Sequence, residues 1–288
     1  MSATKRIVLF VAGLAVVFAA AAGLGSLVEP AETDDGGAGE TMAAHSAHET
    51  EAAGHEPAGL GIAEGGYSLR LATNQFGRDK VGQLSFSVVA GDGEPVTEFD
   101  QLHERRLHLI IVRRDGTEFR HLHPEMDAAG VWTVPVGFAA AGVYRAFADF
   151  SVDGEQQTLA GDLFVSGGDF KARPFPAPRP LATSDGYEVT LAATDLMANE
   201  PTELSFAVSE NGRPIDDLDP YLGAKGHLVA LREGDLAFLH VHPEESEVAA
   251  NEIAFEATFP SPGRYRLYLQ FRHEGAVRTA EFTLEVPR

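Results

Sequence analysis

The stretch "LHLIIVRRDGTEFRHLHP" (residues 107–124) decides the fold of the first half of this chain, and "GHLVALREGDLAFLHVHP" (226–243) repeats it. In each copy, two runs rich in apolar residues flank a turn dipeptide, Asp115-Gly116 in the first and Gly234-Asp235 in the second. Asp-Gly and Gly-first dipeptides favour the two-residue turns that join antiparallel strands. Each stretch therefore predicts a β-hairpin.

Both hairpins carry three histidines at the same spacing. They are His108, His121 and His123 in the first copy, and His227, His240 and His242 in the second. A loop at Asp115-Gly116 pairs His108 with His123 and Ile110 with His121; a loop at Gly234-Asp235 pairs His227 with His242 and Val229 with His240. Because side chains alternate along a strand, the three imidazoles of each hairpin are predicted to share one face.

Imidazoles on directly opposed residues start about 5 Å apart at Cβ and can converge on one ion. Three neutral imidazoles suit Cu(II), which we favour, or Zn(II), and they leave a coordination position open. Pro124 and Pro243 end the strand and predict that each site lies at the sheet rim. The alternative is a hydrogen-bonded cluster of partly buried histidines with a purely structural role.

Further residues near the hairpins are secondary candidates for metal ligation. They are Glu125, Met126 and Glu244 just past the prolines, and Asp100 and Asp219 ahead of the hairpins. His103 and His273 have no counterpart in the other copy, so we expect them at the surface.

The repeat extends over most of the chain. "GYSLRLA" (66–72) matches "GYEVTLA" (186–192), and "AAGVYRAFADF" (140–150) matches "SPGRYRLYLQF" (261–271). Short β-branched and aromatic runs separated by turn residues predict an all-β fold: two tandem immunoglobulin-like or cupredoxin-like β-sandwiches, residues 66–168 and 184–288. A proline-rich linker, 169–183, joins them. Tyr144 and Tyr265, each two residues after a glycine, are typical of a tyrosine corner.

The N-terminus predicts export. Residues 7–28 form 22 uncharged, mostly apolar residues after Lys5 and Arg6, long enough to span a bilayer. Segment 1–28 is therefore a single-pass anchor in the cell membrane or a cleaved signal peptide that leaves a secreted protein. Segment 29–65 is acidic and poor in large apolar residues, which predicts a disordered, histidine-containing tether.

Composition excludes several functions. Without cysteine, the chain has no thiolate metal site or cysteine nucleophile. A formal charge of −21 argues against binding nucleic acid, which needs clustered Lys and Arg. No nucleophile elbow, phosphate loop or HExxH motif occurs, so we do not expect an enzyme.

The segment "LHLIIV…FRHLHPEMDAAGVWTVPVGFAAAGVYRAFADF" resembles exported, membrane-anchored YtkA-like proteins, a group associated with CopC-like and cupredoxin-like copper-handling domains. The resemblance covers both units and implies heavy-metal binding outside the cytoplasmic membrane. It assigns the six histidines of the two hairpins as ligands. The absence of cysteine excludes a blue-copper site of the His₂Cys type.

These observations predict an extracytoplasmic protein that buffers or handles copper, or zinc, through one three-histidine site per sandwich. The alternative is a non-enzymatic structural or protein-interaction module held outside the membrane.

Overall fold

The computed structural model describes residues 58–239, 241–244 and 249–288. Within these ranges the chain is all-β, and the prediction of two tandem β-sandwiches is confirmed. The described residues include no helix long and apolar enough to cross a membrane. The predicted anchor or signal segment, most of the tether and His240 lie outside the described residues.

The first sandwich contains ten strands. They are β1 (Ala63–Glu64), β2 (Tyr67–Leu71), β3 (Gln75–Gly77), β4 (Val81–Ala90), β5 (Leu107–Arg113), β6 (Thr117–Leu122), β7 (Glu125–Met126), β8 (Trp132–Gly137), β9 (Gly142–Val152) and β10 (Glu155–Ser166). One sheet has the order β1-β2-β4-β8-β7, and the other has the order β3-β10-β9-β5-β6.

The described part of the second sandwich repeats this plan with ten further strands. They are β11 (Leu181–Ser184), β12 (Tyr187–Thr194), β13 (Pro201–Glu210), β14 (Arg213–Pro214), β15 (Gly226–Arg232), β16 (Phe238–Leu239), β17 (Val241–Pro243), β18 (Glu252–Thr258), β19 (Gly263–His273) and β20 (Ala276–Val286). Its sheets have the orders β11-β12-β13-β18-β17, with β14 beside β13, and β16-β15-β19-β20.

Each sandwich encloses its own core, made of the inward side chains of its two sheets. In the first, Leu109 of β5 packs with Trp132 of β8; in the second, Leu228 of β15 packs with Ile253 of β18. The predicted tyrosine corners are confirmed. The hydroxyl of Tyr144 donates to the carbonyl of Ala140 at 2.8 Å, and that of Tyr265 donates to the carbonyl of Ser261 at 2.9 Å.

The predicted register of the first hairpin is confirmed away from its loop. Ile110 pairs with His121, and Leu109 pairs with Leu122. A two-residue loop at Asp115-Gly116 would pair Arg114 with Thr117, and this part of the prediction is wrong, because a bulge after Ile111 shifts the register so that Arg113 pairs with Thr117. The carboxylate of Asp115 fixes this longer loop by accepting hydrogen bonds from Arg113 and Thr117.

A third apolar cluster joins the two sandwiches. The outward side chains of β5 meet those of β15, and Phe119 stacks on Tyr268 with ring centroids 4.1 Å apart. The buried members of this inter-sandwich core are Ile110, Val112, Phe147, Ala160, Val229, Leu231, Leu236, Phe238 and Tyr268. Burying a side chain of this size stabilises the fold by about 1.5–3 kcal/mol, so the two sandwiches pack as one unit.

Residues 58–61 form a strap across the edge of this core. Phe238 of the second sandwich donates its amide to the carbonyl of Ala58, and Gly59 donates to the carbonyl of Thr158 in the first. The buried guanidinium of Arg145 donates to the carbonyls of Gly59 and Leu60. The structure therefore differs here from the predicted tether, since 58–65 contains packed backbone and strand β1.

Gly59 is the tightest point of the strap, which makes Gly59→Ala an informative variant. Its φ is 67°, and an added Cβ would lie 2.8 Å from a ring carbon of Phe147. We expect a loss of unfolding free energy from both the left-handed backbone, roughly 1–2 kcal/mol, and the overpacking, roughly 1–3 kcal/mol. Gly66→Ala is the matched control, because φ is 83° there with no atom within 4 Å of the added Cβ. Equal losses of unfolding free energy in the two variants, measured by urea unfolding, would contradict the packed strap.

Candidate metal centre

Five of the histidines that the structure describes converge where the inter-sandwich core reaches the rim of the sheets. This histidine cluster consists of His103, His108, His121 and His123 from the first sandwich and His227 from the second. Ring centroids lie 5.0 Å apart for His108 and His121 and 4.7 Å apart for His121 and His227. His108 and His227 stack with 13° between their planes at 5.5 Å. The cluster is thus shared between the two repeats.

Strand alternation explains why these rings meet. On β5, His108 points outward with Ile110 and Val112, and on β6 His121 points outward with Phe119, as the hairpin predicts. On β15, His227 alternates with the core residue Leu228 and faces outward in the same way. Packing the two outward faces together therefore brings equivalent histidines of the two repeats into contact.

Hydrogen bonds fix the proton positions on two of the rings. The Nε2 of His108 lies 2.8 Å from the carbonyl oxygen of Leu102, and the Nδ1 of His121 lies 2.6 Å from the Oε1 of Gln270. Both oxygens only accept, so each of these ring nitrogens carries a proton. In neutral imidazoles the remaining nitrogens, His108 Nδ1 and His121 Nε2, then hold bare lone pairs. These two atoms face each other at 2.8 Å.

Two further nitrogens complete the donor set. One ring nitrogen each from His108, His121 and His227 lie within 4.8 Å of one another. The Nε2 of His123 is buried without a hydrogen-bond partner, and its ring centroid is 4.8 Å from that of His121. A buried polar atom without a partner is costly, so this site carries an unmet demand for a ligand or proton.

Burial keeps these imidazoles neutral. It lowers the pKa of His121 and of His227 well below 6.5, and the neighbouring histidines lower both further. The pKa of His123 falls to about 4, chiefly through burial and then through His108 and Arg105. Burial also lowers the pKa of His108. This effect outweighs the carbonyl of Leu102 and the carboxylate of Asp149, which both raise the pKa. Neutral imidazole is the form that binds metals.

The described residues of the second sandwich do not bring His227 and His242 together as predicted. The pairing of His227 with His242 is wrong, because Val241–Pro243 forms strand β17 beside β18 of the other sheet. His242 is exposed on β17, where it pairs with Glu256. His240 lies outside the described residues, and its role stays a prediction. In the first sandwich the longer strand β6 reaches Leu122 before the crossing, which keeps His123 in the cluster.

The secondary candidates lie elsewhere. Asp100 accepts hydrogen bonds from Ser151 and the amide of Gly154, and Asp219 accepts one from the amide of Gly275. These hydrogen bonds are typical of carboxylates that stabilise turns, and a ligand role for either residue stays a prediction. The other three are on or next to strands of the opposite sheets: Glu125 and Glu244, which are exposed, and Met126, which packs against the first core.

Two histidines expected at the surface are partly or fully enclosed. His103 contacts His108 and His227, with ring centroids 6.0 and 5.6 Å away. His273 is buried and lies between the hydroxyl of Tyr187 and the carboxylate of Asp217. Hairpin spacing could not find His103, because it comes from the loop before β5 and joins the cluster only through tertiary packing.

The fold and the repeat define a tandem β-sandwich protein. The chain belongs to the family of the domain of unknown function DUF8832, whose family model matches residues 62–167 and 182–288. No family model of the YtkA-like, CopC-like or cupredoxin-like groups matches the chain, so the resemblance to these groups stays a prediction. A comparison with curated proteins gives no match.

Several solved structures share only a distant likeness. The Escherichia coli adhesin FdeC is 12% identical, with a TM-score of 0.27, over 78% of this chain and 65% of that chain. The Yersinia pseudotuberculosis adhesin InvE is 10% identical, with a TM-score of 0.23, over 76% of this chain and 58% of that chain. A Salmonella alpha-2-macroglobulin is 13% identical, with a TM-score of 0.28, over 76% of this chain and 14% of that chain. Likeness at this level is too weak to bear on function.

The lowered pKa values predict an acid-sensitive fold in the absence of metal. In the unfolded chain the histidines take up protons near pH 6.5, whereas His121, His123 and His227 resist protonation in the native state. The free energy of unfolding is therefore highest above pH 6.5 and falls as the pH drops toward about 4. Each such histidine adds up to about 1.4 kcal/mol per pH unit to the slope.

Urea unfolding at pH 7.5 and 5.0 in the presence of a chelator measures this effect. His227→Leu is expected to be less sensitive to acid than the wild-type protein. His242→Leu, at an exposed position on the other sheet, is expected to leave the difference in unfolding free energy between the two pH values as it is in the wild-type protein. If the free energy of unfolding of His227→Leu depended on pH as strongly as that of the wild-type protein, the result would contradict a neutral imidazole enclosed at that position.

Proposed function

We propose that this protein binds one divalent transition-metal ion, Cu(II) or Zn(II), at the histidine cluster between its sandwiches, as a metal-buffering or metal-handling protein outside the cytoplasmic membrane. The observation that carries the proposal is the 2.8 Å contact between His108 Nδ1 and His121 Nε2. In the neutral rings neither nitrogen has a proton, and two facing lone pairs repel unless a cation lies between or beside them.

A metal ion satisfies this site better than an extra proton does. An imidazolium would have to form in a buried environment, and burial lowers the pKa of both His108 and His121. Bonds of about 2.0–2.1 Å separate two ligand nitrogens by about 3.3 Å in tetrahedral Zn(II) coordination, and by about 2.9 Å for adjacent ligands in the square-planar arrangement that Cu(II) prefers. The nitrogens of His108 and His121 lie 2.8 Å apart, and all three donor nitrogens lie within 4.8 Å of one another, which supports a common ion.

The chemistry of the donors favours Cu(II), with Zn(II) second. Imidazole nitrogens suit both ions, and Cu(II) binds more tightly to a given nitrogen site. The buried Asp149 pairs directly with His108 across β5 and β9, and its negative charge acts on the His108 ring. A buried carboxylate at this place offsets part of the charge of a dication.

The proposal differs from the sequence prediction in the number of sites. His108 and His121 of the first repeat form one donor set with His227 of the second, so one shared site replaces one site per sandwich. The proposal includes no catalytic step. In the alternative, an interaction module with structural histidines, the short contact holds a shared proton and binds no metal.

Cu(II) titration of the full chain tests the proposal, with His45, His48 and His55 replaced by alanine to remove tether histidines. We expect His121→Ala and His227→Ala each to weaken Cu(II) binding by at least about 100-fold, the upper end of what loss of an outer-shell partner costs. His242→Ala is the matched control and is expected to bind as the parent chain does, because it lies exposed on the other sheet.

A parent chain that binds Cu(II) and Zn(II) no more tightly than millimolar would overturn the proposal. Equal weakening by His242→Ala and His227→Ala would overturn the shared site. Saturation at 100 times the dissociation constant is expected to raise the free energy of unfolding by about 2.7 kcal/mol, which gives an independent check by thermal unfolding.

A further inference from the structure

A cavity of about 430 Å³ lies beside the histidine cluster, between the two sandwiches. His121 and His123 contribute to its wall from the first sandwich, and Tyr221 and Gln270 contribute from the second. Pockets of about 300–1,000 Å³ are the usual size for small-molecule sites. A metal ion held by the cluster would therefore have its open coordination position next to a space that holds a small ligand.

The same cavity is lined by an arginine without an acidic partner. The guanidinium of Arg105 donates from Nη1 to the neighbouring carbonyl of Glu104 at 3.3 Å and has no carboxylate within 4 Å among the described residues. Its side chain is exposed and lines the wall of this cavity.

A second guanidinium lines the opposite wall. Arg272 contacts Asp219 only loosely, with Nε 3.8 Å from the carboxylate, and this Nε is buried without a hydrogen-bond partner. The two arginines come from different sandwiches, so the cavity wall combines two guanidiniums with neutral imidazoles and one carboxylate, that of Glu104, and keeps a net positive charge. Such a wall attracts anions and leaves metal ligation to the histidines.

We propose that this cavity binds a small carboxylate, with one oxygen in the open coordination position of the metal and the other on the guanidinium of Arg105. This inference rests on the proposed metal site. Carboxylate oxygens bind Zn(II) at about 2.0–2.2 Å, and arginine favours carboxylates because its fork of N–H donors matches their geometry. The protein would thus hold its metal as a ternary complex with an organic acid.

Acetate titration of the Cu(II)-loaded full chain, followed by the visible d–d band and by electron paramagnetic resonance, tests this inference. We expect acetate to shift both signals in the parent chain. Arg105→Gln is expected to raise the dissociation constant for acetate by about tenfold or more, since a hydrogen bond between charged groups is lost, with Cu(II) affinity unchanged. Arg106→Gln is the matched control, because its side chain lies next in sequence but does not line this cavity.

The outcomes separate the two proposals. Tight Cu(II) binding with no spectral response to acetate would overturn the carboxylate site and leave the metal site standing. Equal acetate affinity in Arg105→Gln and Arg106→Gln would overturn the proposed role of Arg105 and leave the metal site standing. Failure of the parent chain to bind Cu(II) would overturn both proposals together.

Discussion

The burial of strand β5 on both faces is the constraint on which the rest of the structure depends. Leu107, Leu109 and Ile111 fill the first sandwich, whereas Ile110 and Val112 on the other face require a second apolar surface. The outward face of β15 supplies that surface. Because hydrophobic burial drives this packing, the two repeats pair through equivalent strands, and the histidines at the ends of those strands are enclosed with them.

Enclosure changes the chemistry of the histidines. A solvent-exposed imidazole titrates near pH 6.5, but loss of water disfavours the charged form. The carbonyl of Leu102 and the amide oxygen of Gln270 then hold one proton on each of two rings and orient the other nitrogens toward each other. Apolar packing thus produces a set of bare nitrogen donors, which is the state that metal binding otherwise has to create by releasing protons.

Much of this could be predicted from the sequence. The turn dipeptides gave the correct register for Ile110 and His121, and strand alternation gave the correct common face for His108, Phe119 and His121. Both follow from local geometry. The repeat likewise predicted two similar sandwiches, because each copy carries its own alternating pattern.

The sequence could not show which faces pack together. Identical spacing suggested that each trio acts within its own repeat, yet His227 joins His121, and His242 leaves on the other sheet. By Val241 the chain has left the sheet of β16 and pairs with β18 of the other sheet, and no turn signal marks that crossing. The available signal was that both odd and even positions of "HLIIV" and "HLVAL" are apolar. Such continuous hydrophobic runs are typical of strands that are buried on both faces.

The number of metal ions bound per chain tests the central claim most directly. Native mass spectrometry of the full chain, with His45, His48 and His55 replaced by alanine and with Cu(II) in modest excess, counts them without any assumption about affinity. A site shared between the sandwiches predicts one ion per chain and none after His227→Ala. Two ions per chain, or one that survives His227→Ala, would contradict the shared site.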